Sequence, residues 1–299
     1  MTPASQRPAP PAAAPRPASM PDRLGRYVVE REIGRGAMAV VYLGRDPKIN
    51  RVVAIKAIPL AREFGEDEVE EARLRFFREA ETAGRLNHPG IVTVYDAGED
   101  QALAFIAMEY LNGEPLSEFT SSRTLLPASQ VVELLARVAD ALGHAHRQNV
   151  VHRDIKPANI MFDRASDGLK ITDFGIARLT DSGTTKSGIV LGTPSFMSPE
   201  QLEGRTVQGS SDLFSLGVSL YQLLTAQLPF RADSMTGLMF KIANEPHPPL
   251  RAIRPDLPGL LEAIVTRALQ KRADDRFQSG AEFATALRSC GRLLQAQGL

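Results

Sequence analysis

Between residues 27 and 110 the chain alternates short apolar runs with turn residues. Residues 27–33, 39–45 and 52–59 are rich in Val, Ile and Tyr, and Gly34, Gly36, Asp46, Pro47 and Asn50 separate them. That pattern predicts three successive strands. Residues 66–86 are highly charged, and Leu74, Phe77, Ala80 and Gly84 recur at three- to four-residue steps. This predicts a helix with those four positions on its inner face. Residues 91–98 and 103–110 read as two more strands. After Asn112-Gly113 the period becomes helical, with an amphipathic run at 129–148 followed by 213–225, 259–269 and 280–294. Two short strand-like runs, 159–162 and 169–171, lie among them. Strands first and helices afterwards predict an α+β chain with segregated lobes. A ligand cleft between the lobes is the physical expectation.

Composition changes this picture at three places. Residues 1–22 hold Pro3, Pro8, Pro10, Pro11, Pro15, Pro17 and Pro21, which predicts a disordered or polyproline-like tail. That tail has no apolar central run, so a secretory leader is not expected. The most apolar helical stretch, 213–226, is broken by Ser215, Gly217, Ser219, Gln222 and Thr225. It reads as a buried helix, since a membrane span needs about 20 mostly apolar residues. With 43% hydrophobic residues, the 299-residue chain can bury a core for one large domain or two lobes. Basic and acidic side chains balance at 35 each, which gives no global electrostatic reason to expect nucleic acid or an acidic membrane as partner. Cys290 is the only cysteine, so no intrachain disulfide can form, and a cytoplasmic location is expected.

The chemistry concentrates in His152-Arg153-Asp154-Ile155-Lys156-Pro157-Ala158-Asn159 and in Asp173-Phe174-Gly175. Phosphoryl transfer needs a group that orients the attacking hydroxyl and cations that spread the charge on the phosphoryl oxygens. Asp154 suits the first task. Asn159 and Asp173 suit the second, because Mg²⁺ prefers hard oxygen ligands. Upstream, Gly34-Arg35-Gly36-Ala37 lies between two predicted strands, where glycines let the backbone approach phosphate. Lys56 ends the apolar strand Val53-Ala54-Ile55-Lys56 and offers a point charge for phosphate oxygens.

In this order the motifs resemble those of protein kinases, most closely the bacterial eukaryotic-like (Hanks-type) serine/threonine kinases, over residues 27–291. The resemblance implies a bilobal kinase domain at 23–291. Its small lobe, an antiparallel sheet with one helix, would span 27–108; a hinge 109–112; and a larger, mainly helical lobe 113–291. Residues 292–299 would form a short C-terminal tail. It further implies an ATP- and Mg²⁺-dependent enzyme of signalling that acts on Ser/Thr hydroxyls of protein substrates, with self-association for autophosphorylation.

The resemblance also distributes roles. Ile33, Gly34, Arg35, Gly36, Ala37, Val41, Ala54 and Met108 would border the nucleotide, with backbone groups of Glu109 and Leu111 meeting the adenine edge. Lys56 would touch the α- and β-phosphates and pair with Glu79, Lys156 would neutralise γ-phosphate charge, and Asn159 and Asp173 would hold Mg²⁺. His152 and Phe174 would pack on each other as structural residues. Asp212 would accept hydrogen bonds from the catalytic-loop backbone, and Glu200 would pair with Arg276. Thr193 would lie near Asp154 and Lys156, and Thr185 and Ser187, then Thr184, would be activating phosphosites facing Arg153. The chain departs from the family pattern at Ala39, where a third glycine is usual, and at Ser198, which replaces the commoner alanine. A nucleotide-binding pseudokinase would lack Lys56, Asp154, Asn159 or Asp173, and all four are present. A small-molecule kinase of the same fold would lack the Ser/Thr-rich segment and the Pro199-Glu200 motif, which are also present.

Overall fold

The computed structural model describes residues 20–36, 38–65, 67–100, 102–174 and 194–298. Its first lobe is an antiparallel sheet of β1 (Arg23–Leu24), β2 (Tyr27–Arg35), β3 (Val40–Asp46), β4 (Arg51–Ile58), β5 (Val94–Asp100) and β6 (Leu103–Glu109), in the spatial order β1-β2-β3-β4-β6-β5. Being central, β4 is covered on both faces. Val53, Ile55 and Ala57 pack with Tyr27, Val29, Tyr42 and Phe105 on one side. Ala54 and Ile58 pack with Phe76, Ala80, Ile106 and Met108 on the other. The two-residue period of a strand therefore puts Lys56 on the second side, between Ala54 and Ile58.

That second side is covered by α1 (Leu60–Glu63), a turn that the apolar periodicity does not predict, and by α2 (Val69–Gly84). The inner face of α2 differs from expectation. Ala72, Phe76, Ala80 and Ala83 are buried, whereas Leu74 is 49% exposed. Of the expected stripe, Ala80 is buried and Phe77 half-buried, its ring edge-on to Phe76 at 5.4 Å. The reason is size: alanines weigh little in a hydrophobic pattern, yet they let a helix lie close to a sheet.

The second lobe is built on α3 (Ala128–Arg147), whose apolar face is buried along its whole length. A small sheet of β7 (Glu114–Pro115), β8 (Ile160–Asp163) and β9 (Gly168–Ile171) lies on the cleft side. Then come α4 (Pro199–Leu202), α5 (Gly209–Thr225), α6 (Met235–Asn244), α7 (Leu250–Ile253), α8 (Gly259–Ala268) and α9 (Gly280–Gln297). Helix α5 is apolar nearly all round and sits inside the lobe, as the sequence pattern predicts. Among the described residues, no helix is long and apolar enough to cross a membrane.

Helix α9 packs against α3 so closely that a Cβ at Gly280 would come 2.0 Å from the Ala139 carbonyl oxygen. It carries Phe283, Leu287, Cys290 and Leu294 into the core and continues to Gln297. The boundary expected at residue 291 therefore falls inside a helix, and residues 292–297 belong to it. At the other end, the proline-rich stretch lies outside the described residues up to position 19, while Met20 already packs on the first lobe. The lobes meet where Val92 N–H donates to the Ile171 carbonyl and Ile171 N–H to that of Gly90, each at 2.9 Å.

Candidate active site

The loop before β8 carries His152 to Asn159, and its backbone is held by side chains from other elements. Asp212, in the first turn of α5, accepts from His152 N–H through Oδ2 and from Arg153 N–H through Oδ1, both at 2.8 Å. His146 of α3 bonds the same Oδ2 at 2.8 Å. Burial works to raise the pKa of Asp212, but the His146 side chain and these backbone donors outweigh it and lower it. His152 is fully buried and edge-on to Phe174 at 4.6 Å. One of its ring nitrogens, Nε2, lies 2.8 Å from the Thr172 carbonyl, and the other, Nδ1, accepts from Asp154 N–H at 3.2 Å. Those partners suit a donor at Nε2 and an acceptor at Nδ1. A buried, doubly bonded ring is a structural post, as the sequence reading expects.

On this frame Asp154 Oδ2 meets Lys156 Nζ at 2.7 Å and Asn159 Nδ2 at 3.0 Å. Asn159 Nδ2 also donates to the Asp154 carbonyl at 2.8 Å. With its nitrogen doubly committed, the Asn159 side-chain oxygen is directed away from Asp154 and left as an acceptor. Lys56, reaching from β4, bonds Asp173 Oδ1 at 2.8 Å. Desolvation pushes the Asp173 pKa up, but the adjacent Lys56 ammonium prevails and lowers it. Arg153 and Asp173 both have positive φ, 71° and 65°. Non-glycine residues hold that conformation only where their surroundings over-determine it, and such residues cluster at functional sites.

The upper wall is more open. Val41 stands opposite Gly34 on β2 and Lys56 on β4, and Ala54 stands opposite Met108. Val41, Ala54, Met108 and Leu111 share one apolar cluster, whereas Ile33 is 36% exposed and Arg35 pairs outward with Glu32 at 2.6 Å. Among the described residues, a Cβ at Gly34 or Gly36 would meet no atom closer than 3.7 Å, so none of them demands glycine there. Glu109 is tied to the small sheet of the second lobe, its carboxylate accepting from Lys170 Nζ at 2.7 Å. Glu79 is half-buried on α2. Ala37, Gly175, Thr184, Thr185, Ser187 and Thr193 lie outside the described residues.

Behind the cleft, Arg276 clamps Glu200 with two bonds, Nη1 to Oε1 at 2.7 Å and Nη2 to Oε2 at 2.8 Å. Arg276 is fully buried and also donates to the carbonyls of Gln270, Ser210 and Lys271. Burial would raise the pKa of Glu200, but hydrogen bonds from Arg276 and Ser211 overcome it and hold it at about 2.

The profile of the protein kinase domain matches residues 27–279. The chain belongs to the protein kinase family. Over 280 residues it is 42% identical to a probable serine/threonine-protein kinase of Streptomyces coelicolor, covering 90% of this chain and 41% of that protein. It is 39% identical to serine/threonine-protein kinase PknB of Mycolicibacterium smegmatis over 272 residues, 88% of this chain and 42% of that one. The kinase domain of Mycobacterium tuberculosis PknI superposes with a TM-score of 0.72 at 32% identity, covering 90% of this chain and 97% of that domain. The chain spans about half, or less, of the length of these curated relatives. Three residues that hold the kinase site together, Gln201, His146 and Lys170, are absent from the sequence reading. Each acts through one polar contact to a distant segment, and such a contact leaves no periodic signal.

Proposed function

We propose that this chain is a serine/threonine protein kinase that transfers the γ-phosphoryl group of ATP to Ser/Thr hydroxyls of protein substrates. The observation that carries the proposal is the convergence of Asp154, Lys156 and Asn159, 2.7–3.0 Å apart, beneath the Lys56–Asp173 pair. In this reading the Asp154 carboxylate orients the acceptor hydroxyl. As the new P–O bond forms and the bond to ADP breaks, the hydroxyl proton passes to Asp154. Lys156 offsets charge on the transferred group, and Lys56 fixes the α- and β-phosphates, with Glu79 as its partner once nucleotide is bound.

The residues fit a divalent cation. Asp173 offers a carboxylate on the cleft, and Asn159 an amide oxygen freed by its nitrogen's two bonds to Asp154. Both are the hard donors Mg²⁺ takes. When bound, the ion would neutralise the phosphate oxygens and lower the cost of charge transfer. The lack of a side chain at Gly34 and Gly36 suits a polyphosphate lying against backbone. The apolar cluster of Val41, Ala54, Met108 and Leu111 suits an adenine ring.

Activation follows from charge. A phosphate on Thr185, Ser187 or Thr184 would add about −1.5 to −2 charge, for which the Arg153 guanidinium is the proposed partner. Cytoplasmic action and association of two copies for autophosphorylation belong to the same proposal.

The test is transfer of labelled γ-phosphate from Mg-ATP to a protein acceptor, to a small-molecule alcohol and to the enzyme itself, with mapping of modified residues. Incorporation into Ser/Thr of protein, lost in Asp154→Asn, supports the reading. Transfer only to the small alcohol, or none with nucleotide still bound, overturns it.

A further inference from the structure

Gln201, in the first turn of α4, joins two parts of the kinase that the sequence keeps 48 positions apart. Its Oε1 accepts from Ser198 N–H at 3.0 Å and from the Ser198 hydroxyl at 3.1 Å. Its own N–H donates to Ser198 Oγ at 3.4 Å, closing a capping box at the start of α4. With Oε1 committed to a backbone donor, Nε2 must face the other way. It donates to the carbonyl of Arg153 at 2.8 Å.

That carbonyl belongs to the peptide unit that enters Asp154. Its N–H end is held by His152 Nδ1 at 3.2 Å, so the unit is gripped at both poles. The preceding N–H groups of His152 and Arg153 are gripped by Asp212. Arg153 itself sits at φ 71°, a conformation that relaxes when unsupported. Rotation of this peptide would swing the Asp154 carboxylate. Among the described residues, side chains from outside the loop that brace this stretch are Asp212 on α5, through the N–H groups of His152 and Arg153, and Gln201 on α4, through the Arg153 carbonyl. Of the two, α4 lies nearer in sequence to residues 175–193, which carry the proposed phosphosites, with only residues 194–198 between.

We infer that Gln201 is a positioning residue that aims Asp154, linking the end of the activation segment to the catalytic loop through the Arg153 carbonyl. The inference rests on the reading of Asp154 as the group that orients the acceptor. It predicts an effect on turnover and not on nucleotide binding, because among the described residues the side-chain bonds of Gln201 go to Ser198 and Arg153 and not to the upper wall of the cleft.

Gln201→Glu isolates the donor. A carboxylate can still accept from Ser198 but offers no N–H to Arg153 and sets an oxygen against its carbonyl. Ser198→Ala does the reverse, removing the capping hydroxyl and sparing the donor. Proteins matched for phosphate content are compared by kcat, by KM for ATP, by melting temperature and by amide exchange in a peptide covering 150–158. For Gln201→Glu, kcat should fall about 10- to 100-fold with KM for ATP unchanged, and the 150–158 peptide should exchange faster. Ser198→Ala should keep near-normal kcat and slow exchange, even where its melting temperature falls as far. Gln201→Met, similar in shape and without polar atoms, should follow Gln201→Glu and replaces it if that variant does not fold.

Unchanged kcat and exchange in the Gln201 variants overturn the inference. So does equal loss in Ser198→Ala, which would make the effect one of helix capping alone. Asp154→Asn measured in parallel separates the two levels. If it transfers phosphate as well as wild type, the assignment of Asp154 fails, while the exchange comparison still decides whether Gln201 holds the loop.

Discussion

The two walls of the cleft are held in different ways. Below, Asp212, His152, Glu200 and Arg276 are buried and each makes several hydrogen bonds to other elements. Above, Lys56 reaches Asp173 through one bond, and the glycine turn closes on itself through Gly36 N–H and the Ala39 carbonyl at 2.8 Å. In the proposed reading, rigidity falls where the Asp154 carboxylate must be aimed to a fraction of an ångström, and looseness where a nucleotide would enter and leave. Local stability should follow the same division, since segments with few buried contacts open most easily.

The comparison can be broken by substitution. Asp154→Asn should give the largest change, lowering turnover by about 10²- to 10⁴-fold while leaving the melting curve and nucleotide affinity nearly intact. Single-turnover phosphate transfer and isothermal titration with a nonhydrolysable nucleotide check it. Glu200→Ala strikes the lower wall. It strands the Arg276 guanidinium in the core, and breaking such a pair costs about 3–5 kcal/mol. A urea titration should show the unfolding free energy lowered by that amount. A shift below about 1 kcal/mol would mean that the lower wall is no stiffer than the upper.

Acid sharpens the same contrast. Glu200 has a pKa of about 2 against an ordinary 4.5, so its pairing stabilises the fold fully above pH 4.5 and is lost as pH falls toward 2. The loss amounts to about 3 kcal/mol. Asp212 and Asp173, also lowered, add in the same direction. Glu200→Gln should flatten that part of the pH–stability curve. A smaller stability effect is expected above: Lys56→Met removes a single hydrogen bond of a part-buried pair rather than a two-bond clamp in the core. Phosphate transfer should nonetheless fall sharply, and normal transfer would remove Lys56 from the nucleotide site.

Much of this was legible in the residues. The strands β2 to β6 and the long helices α3, α5, α8 and α9 have strong periods, and the structure places them within a few residues of expectation. Asp212 beneath the catalytic loop and Glu200 on Arg276 were legible because their motifs sit at fixed offsets. The inner face of α2 was legible only in part: Ala80 and Phe77 lie on it, but Ala72 and Ala83 pack closely without raising the apolar signal, and Leu74 raises it while standing in solvent. Short helices such as α1, α4 and α7 hold one turn each, too little for a period to register. Gln201 and Lys170 were invisible for another reason. Their roles are set by which distant carbonyl or carboxylate the fold brings within reach.

The seam between α3 and α9 bears on how this catalytic unit can be cut. Leu294 is fully shielded, and the glycine contact at Gly280 fixes α9 in place. A chain ended at residue 291 would lose the Leu294 side chain from its pocket, about 1.5–3 kcal/mol of apolar burial, and would bare the groove on α3 that it fills. A preparation designed from motif boundaries alone would therefore be stickier and less durable than one carried through the end of the helix.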